Sequence, residues 1–288
     1  MYRAKAQGRG CYRIFDQEMH IQARRRLQLE TDLRLALERQ EFSLNYQPIV
    51  SLTTGKITGF EALIRWTHPQ KGMISPAKFI PVAEETGLIV PIGFWVLEQA
   101  CYQLQTWQNQ FECPTTNDCL LKMSVNLSVK QFSQSNLIDR IDQILLQTQL
   151  NSHCLKLEIT ETAIMDNAES ASRLLNKLRA RKIELCIDDF GTGYSSLSYL
   201  HRFPVNTLKI DRSFIGRLEK NVENIEIIEA ILTLAHHLNI SVVAEGVETF
   251  TQLEQLRKLG CEEAQGYFFA KPLEPEVASN LILKNPTW

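Results

Sequence analysis

The chain contains no CxxC pair, no apolar run long enough to cross a bilayer, and no large excess of charge of either sign. Its seven cysteines, Cys11, Cys101, Cys113, Cys119, Cys154, Cys186 and Cys261, are scattered and odd in number. That pattern argues against a structural zinc site and against a disulfide framework, and a reducing cytoplasm is the expected setting. The most apolar stretch, FIPVAEETGLIVPIGFWVL, is broken by two glutamates and two prolines and reads as core helices. The amino terminus opens with Arg3 and Lys5 and has no apolar signal core, although a membrane-anchored parent remains compatible with this. A net charge of −2 excludes a broad surface for DNA, RNA or anionic lipid, but leaves room for a small anion held locally.

What is present is an ordinary globular composition, 44% apolar and 22% charged over 288 residues, a length that suits one large α/β barrel. From residue 42 onward, short apolar segments alternate with amphipathic ones, as in repeated βα units. Strands are predicted at 43–52, 58–66, 121–128, 154–160, 183–190, 207–211, 240–246 and 261–267. The Thr53-Thr54-Gly55 turn joins the first two as a hairpin, so the expected fold is a TIM-like (βα)8 barrel with an irregular, antiparallel first strand. Ser75 and Pro76 read as a helix start, and Gly87 and Gly260 as helix stops.

Acidic residues recur at the ends of these strands: Glu61, Glu158, Asp188, Asp189 and Glu245, with Asn126 and Lys209 in comparable places. Alternation puts Glu61, Leu63 and Arg65 on one face of their strand, and Phe60, Ala62, Ile64 and Trp66 on the other. The same parity sets Glu158 and Lys156 against Leu155, Leu157 and Ile159, and Lys209 against Leu208 and Ile210. The apolar faces need the helix layer, so the polar faces must line the barrel. Asp189 breaks parity beside Asp188 and joins the site only if the chain turns there, which Gly191 and Gly193 permit. Five acids against Arg65 and Lys209 leave an excess of 5 − 2 = 3 negative charges at one rim. Buried carboxylates repel, so protons or cations must remove that excess. An all-oxygen set that includes Asn126 suits Mg²⁺ or Mn²⁺ better than zinc. Asp189-Phe190-Gly191 spells the kinase DFG triplet, but no glycine-rich loop or HRD segment accompanies it.

Glu61-Ala62-Leu63 begins a series of ordered motifs: YQPIV at 46–50, EALIRW at 61–66, SVNLS at 124–128, LEITET at 157–162, IDDFGTGYSSL at 187–197, LKIDRSFI at 208–215, AEGVET at 244–249 and AQGYFFAKP at 264–272. Together they make residues 30–284 resemble the EAL-domain cyclic di-GMP phosphodiesterases. The resemblance implies that Glu61, Asn126, Glu158 and Asp188 hold one divalent cation, and that Asp188, Asp189 and Glu245 hold a second. It implies that Lys209 contacts the attacking water, with Glu61, Lys209 and Glu245 as the catalytic set. Gln47, Leu63, Arg65 and Gln265 are expected at the substrate, and Glu161 is expected to steady the 189–196 loop, a segment linked to homodimerisation. Residues 1–16 resemble the C-terminal end of a GGDEF domain, 17–40 read as a connecting helix, and 41–288 as the barrel. This implies an upstream GGDEF module, and possible sensory domains, in a larger parent. Two other functions suit the same residues: a cyclic di-GMP receptor of weak catalytic power, and a regulatory interaction domain.

Overall fold

The computed structural model describes residues 17–111, 121–165, 168–191, 200–218 and 222–288. Residues 1–16, expected to be a GGDEF remnant, and most of the 189–196 loop lie outside the described residues.

Nine strands form one sheet: β1 (Phe42–Ser51), β2 (Ile57–His68), β3 (Gly72–Ile74), β4 (Lys122–Asn126), β5 (Leu155–Thr160), β6 (Glu184–Phe190), β7 (Thr207–Ile210), β8 (Ser241–Glu245) and β9 (Glu263–Gln265). Their order, β1-β9-β8-β7-β6-β5-β4-β2, closes through an added β1–β2 pairing, and β3 hangs on β2 outside the ring. β1 is antiparallel to both neighbours, while the pairings from β2 through β4 to β9 are parallel. The barrel and its reversed first strand are therefore as the sequence predicts. The reversal follows from the short turn at Gly55, which has φ 69° and donates its N–H to Ser51 at 2.8 Å. A turn this tight cannot carry the crossover that parallel neighbours need. The three-residue β3 was not expected, being too short for a periodic signal.

Helices α1 (Gln17–Ala36), α2 (Pro76–Thr86), α3 (Ile89–Gln110), α4 (Val129–Phe132), α5 (Leu137–Thr148), α6 (Glu161–Met165), α7 (Ala168–Ala180), α8 (Arg212–Ile215), α9 (Val222–His237), α10 (Phe250–Lys258) and α11 (Pro275–Lys284) accompany the strands. α2 starts with Pro76 in its first turn, and Gly87 ends it in the left-handed region at φ 83°. The Ser75 side chain makes no capping bond; its carbonyl accepts from Lys78 instead. The connecting helix is part of the packing: Leu33 and Ala36 are buried in the main core. Asp32 accepts from Lys71 Nζ at 2.5 Å and lies 3.2 Å from His68 Nε2, tying α1 to the β2–β3 hairpin. His68 Nδ1 accepts the Gln70 and Lys71 amides, so Nε2 carries the hydrogen that faces Asp32.

Strand parity sorts the wall. Phe60, Met123, Val125, Leu155, Leu157, Leu185, Leu208, Ile210, Val242 and Ala264 are buried against the helices. The opposite faces carry Glu61, Lys156, Glu158, Glu184, Asp188, Lys209 and Gln265, so this lumen is polar where barrels of this kind hold bulky aliphatic side chains.

Candidate active site

Register sets the height of each inward side chain. Glu61 lies opposite Gln47, Asn126 is aligned with Glu158, and Glu245 with Gln265, all at the end of the barrel where the parallel strands finish. Lys209 stands among them, fully buried. Its Nζ lies 2.7 Å from Glu158 Oε2, 3.3 Å from Glu61 Oε2 and 3.5 Å from Asp188 Oδ1, and it also pairs with Glu245. Asn126 Nδ2 donates to Glu61 Oε1 at 2.7 Å. Gln265 Nε2 donates to Glu61 Oε2 at 2.6 Å and to Gln47 Oε1 at 3.0 Å. Gln47 in turn donates to the Ala270 carbonyl at 3.1 Å.

Asp189 reaches the site by a route that parity does not allow. Its φ is 55°, a left-handed conformation, and the β6–β7 register shifts between Ile187 and Phe190. The strand does not end at Asp188 but bulges, and Phe190 returns to the core. The Asp189 N–H donates to Asp188 Oδ1 at 3.0 Å, fixing both carboxylates on one side. Carboxylate oxygens of Asp188, Asp189 and Glu245 lie within 4.8 Å of one another. Glu161 is buried at the start of α6 and accepts the Gly191 N–H at 3.4 Å, where the chain enters the segment it was expected to steady. Leu63 and Arg65 are half-buried on the face of β2 that Glu61 shares, and Arg65 Nη1 donates to the Ile64 carbonyl. Partial burial lowers the Arg65 pKa, with Glu61 opposing, and no ion pair joins Arg65 to the clustered acids among the described residues, so it belongs to the rim.

Electrostatics divide the acids. Burial pushes Glu158 up to about 8, with Glu61 and Asp188 adding to the shift and Lys209 opposing it. Burial likewise pushes Glu245 up to about 7 and raises Asp189, the latter beside Asp188. For Glu61 burial is again the largest influence and acts upward, but Lys209 and the Gln265 and Asn126 donors outweigh it, leaving the group lowered. Lys209 is held well above the ordinary lysine value: burial acts against its charge, and the surrounding carboxylates prevail. One ammonium thus serves four acids, with Asp189 close by. Glu158 Oε1 is buried without a hydrogen-bond partner among the described residues. An unmatched buried carboxylate oxygen, a tight acidic trio and an oxygen-only donor set fit divalent cations of the magnesium kind.

Sequence reasoning did not find the Ala270 carbonyl behind Gln47 or Tyr267 beside Arg65. Both sit in the AQGYFFAKP segment, whose position after the last strand was the available signal.

The profile of the family described as EAL domain matches residues 30–272. The chain belongs to the EAL domain family. This EAL domain is 45% identical over 276 residues to the bifunctional diguanylate cyclase/cyclic di-GMP phosphodiesterase MucR of Pseudomonas aeruginosa, covering 96% of this chain and 39% of MucR. It is 40% identical over 273 residues to the cyclic di-GMP phosphodiesterase NbdA of the same organism, covering 95% of this chain and 34% of NbdA. The chain therefore spans well under half the length of these relatives. A solved structure described as the MucR phosphodiesterase in complex with c-di-GMP superimposes with a TM-score of 0.82 at 45% identity, covering 87% of this chain and 99% of that one. Among the described residues, no helix is long and apolar enough to cross a membrane.

Proposed function

We propose that this EAL domain hydrolyses one phosphodiester bond of cyclic di-GMP, giving linear pGpG, in a metal-dependent reaction. The observation that carries the reading is the acidic ring around Lys209, set in a fold that matches a phosphodiesterase complexed with c-di-GMP. Glu61, Asn126, Glu158 and Asp188 would hold one Mg²⁺ or Mn²⁺, and Asp188, Asp189 and Glu245 the other. Such a pair, when bound, supplies a lowered water pKa and charge for the phosphate oxygens. The chain's own groups do the rest. Lys209 orients the water for in-line attack on phosphorus. Glu245, beside Lys209 and among the proposed ligands, is the proposed general base. The P–O3′ bond breaks, the 3′-oxygen takes a proton, and the phosphate stays on the 5′ side. Arg65, Leu63 and Gln47 hold the substrate at the rim, and Gln265 fixes Glu61. Homodimerisation through the barrel and its 189–196 loop, an upstream GGDEF module and a cytoplasmic location complete the proposal.

A receptor that binds cyclic di-GMP without cutting it is the second reading. Lys209 contacts four carboxylates, and protons on the raised Glu158 and Glu245 can take up part of the remaining charge, so the ring can persist without cutting chemistry. Product analysis with cyclic di-GMP, with and without Mn²⁺, separates the two. Formation of pGpG only with metal supports the hydrolase, whereas saturable binding with no product under saturating Mn²⁺ supports the receptor.

A further inference from the structure

The lumen has a second polar end. Lys122, Lys156, Glu184, Thr207, Ser241 and Glu263 share strand faces with Asn126, Glu158, Asp188, Lys209, Glu245 and Gln265, two or four positions nearer the start of each strand. They line a cavity of about 470 Å³ at the opposite mouth, with Asn206 and Asn239 at its edge. This volume lies in the range of small-molecule sites.

Two ammonium groups, Lys122 and Lys156, face three carboxylates here, Glu184, Glu262 and Glu263, and not all of them are closed into pairs. Lys122 Nζ is 2.6 Å from Glu184 Oε1, and that pair is made. Glu262 is engaged by the Val242 N–H at 3.1 Å and by His236 at 2.8 Å. Lys156 is only 5% exposed, yet its ammonium stands 3.8 Å from Glu263 Oε2 and 4.0 Å from Glu184 Oε2. Both distances exceed a hydrogen bond, and among the described residues no other acceptor meets Nζ. Three donors and two carboxylates therefore face one cavity without meeting. A simple anion would satisfy Lys156 and be repelled by Glu184 and Glu263; a simple cation meets the converse problem. A molecule carrying both charges a few bonds apart satisfies all of them.

We propose that the barrel floor is a binding site for a small zwitterion of the α-amino acid class, its carboxylate on Lys156 and its ammonium between Glu263 and Glu184. The site lies at the far end of the lumen from the proposed catalytic centre and is independent of that reading. The test is calorimetric and thermal-shift titration of the full chain with each of the common α-amino acids, with glycerol and inorganic phosphate as neutral and anionic probes. At least one amino acid should bind saturably, weakening at least tenfold in Lys156→Met and in Glu263→Gln while Glu61→Ala leaves it unchanged. Saturation by no amino acid, binding by phosphate or glycerol alone, or affinity retained in both floor variants would overturn the proposal. Should both variants fail to fold, a crystal of the unsubstituted chain soaked with the tightest-binding amino acid decides. Ligand density away from Lys156, or ordered water alone in the cavity, counts against the site.

Discussion

The two ends of the lumen are built on the same strands and differ in one respect, the ratio of acids to ammonium groups. At the upper end four acids surround Lys209 with Asp189 close by, and burial pushes two of them, Glu158 and Glu245, up to about 8 and about 7. At the lower end Lys122 and Lys156 face Glu184, Glu262 and Glu263, and Glu262 is also met by the Val242 N–H and His236, so the charges come close to matching. A matched set can stand without added ions, while an unmatched one is under electrostatic tension until protons or cations relieve it. That tension supports placing the proposed chemistry at the upper end, which corresponds to the active face of barrels built this way.

The largest break in this comparison is Glu61→Ala. Loss of a proposed ligand that also receives Asn126, Gln265 and Lys209 should lower pGpG formation by about 10³-fold, the order seen when a preorganised charge-stabilising group is removed. Chromatography of products checks the rate and circular dichroism the fold; an unchanged rate would remove the assigned centre. Next is Lys209→Met, which leaves four contacting carboxylates without their ammonium. Stripping one partner from a buried ion pair costs roughly 3–5 kcal/mol. Urea unfolding in chelator should register that loss, and Mn²⁺ should restore most of it if the upper end is a cation site.

The pH dependence sharpens the contrast further. A carboxyl whose folded pKa is raised keeps its proton in the native state while the unfolded chain releases it, so stability falls as pH rises between the two values. For Glu158 and Glu245 that window runs from the ordinary 4.5 up to about 8 and about 7. Glu61, shifted the other way, adds stability above 4.5 that is lost on acidification. Melting temperature in chelator should therefore decline from pH 5 to pH 8, and the decline should flatten with Mn²⁺. A profile insensitive to Mn²⁺ would contradict the charge argument. The smallest expected effect is at the floor. Lys156→Met removes an ammonium that makes no direct hydrogen bond, so unfolding should shift by about 1–2 kcal/mol, the cost of leaving one acid unmatched. A loss as large as that of Lys209→Met would erase the difference between the two ends.

Much of this was legible because strand alternation is local. LKLEIT, TLKID and SVVAE each show which residue faces inward without any knowledge of their neighbours, and Glu158, Lys209 and Glu245 follow. What escaped depends on closure or on single backbone angles. No pattern announces that Asp189 adopts φ 55°, because one left-handed residue leaves no periodic trace. Lys209 could be assigned to the site, but its simultaneous contact with acids from four other strands exists only once the ring is shut. The floor cavity was hidden for the same reason, although Lys156 already stood on the inward face. The short helices α4, α6 and α8 span only four or five residues, below the length at which helical periodicity speaks.

Residues 17–40 read in the sequence as a connecting helix, but Leu33 is 1% exposed and Ala36 fully covered. Anyone cutting this protein down to its smallest working piece at the first strand would therefore pull a plug out of the interior. The helix leading in from whatever precedes it is no loose tether. Its last turns pack on α2, and Asp32 fastens them to His68 at the end of the strand that carries Glu61 and Arg65.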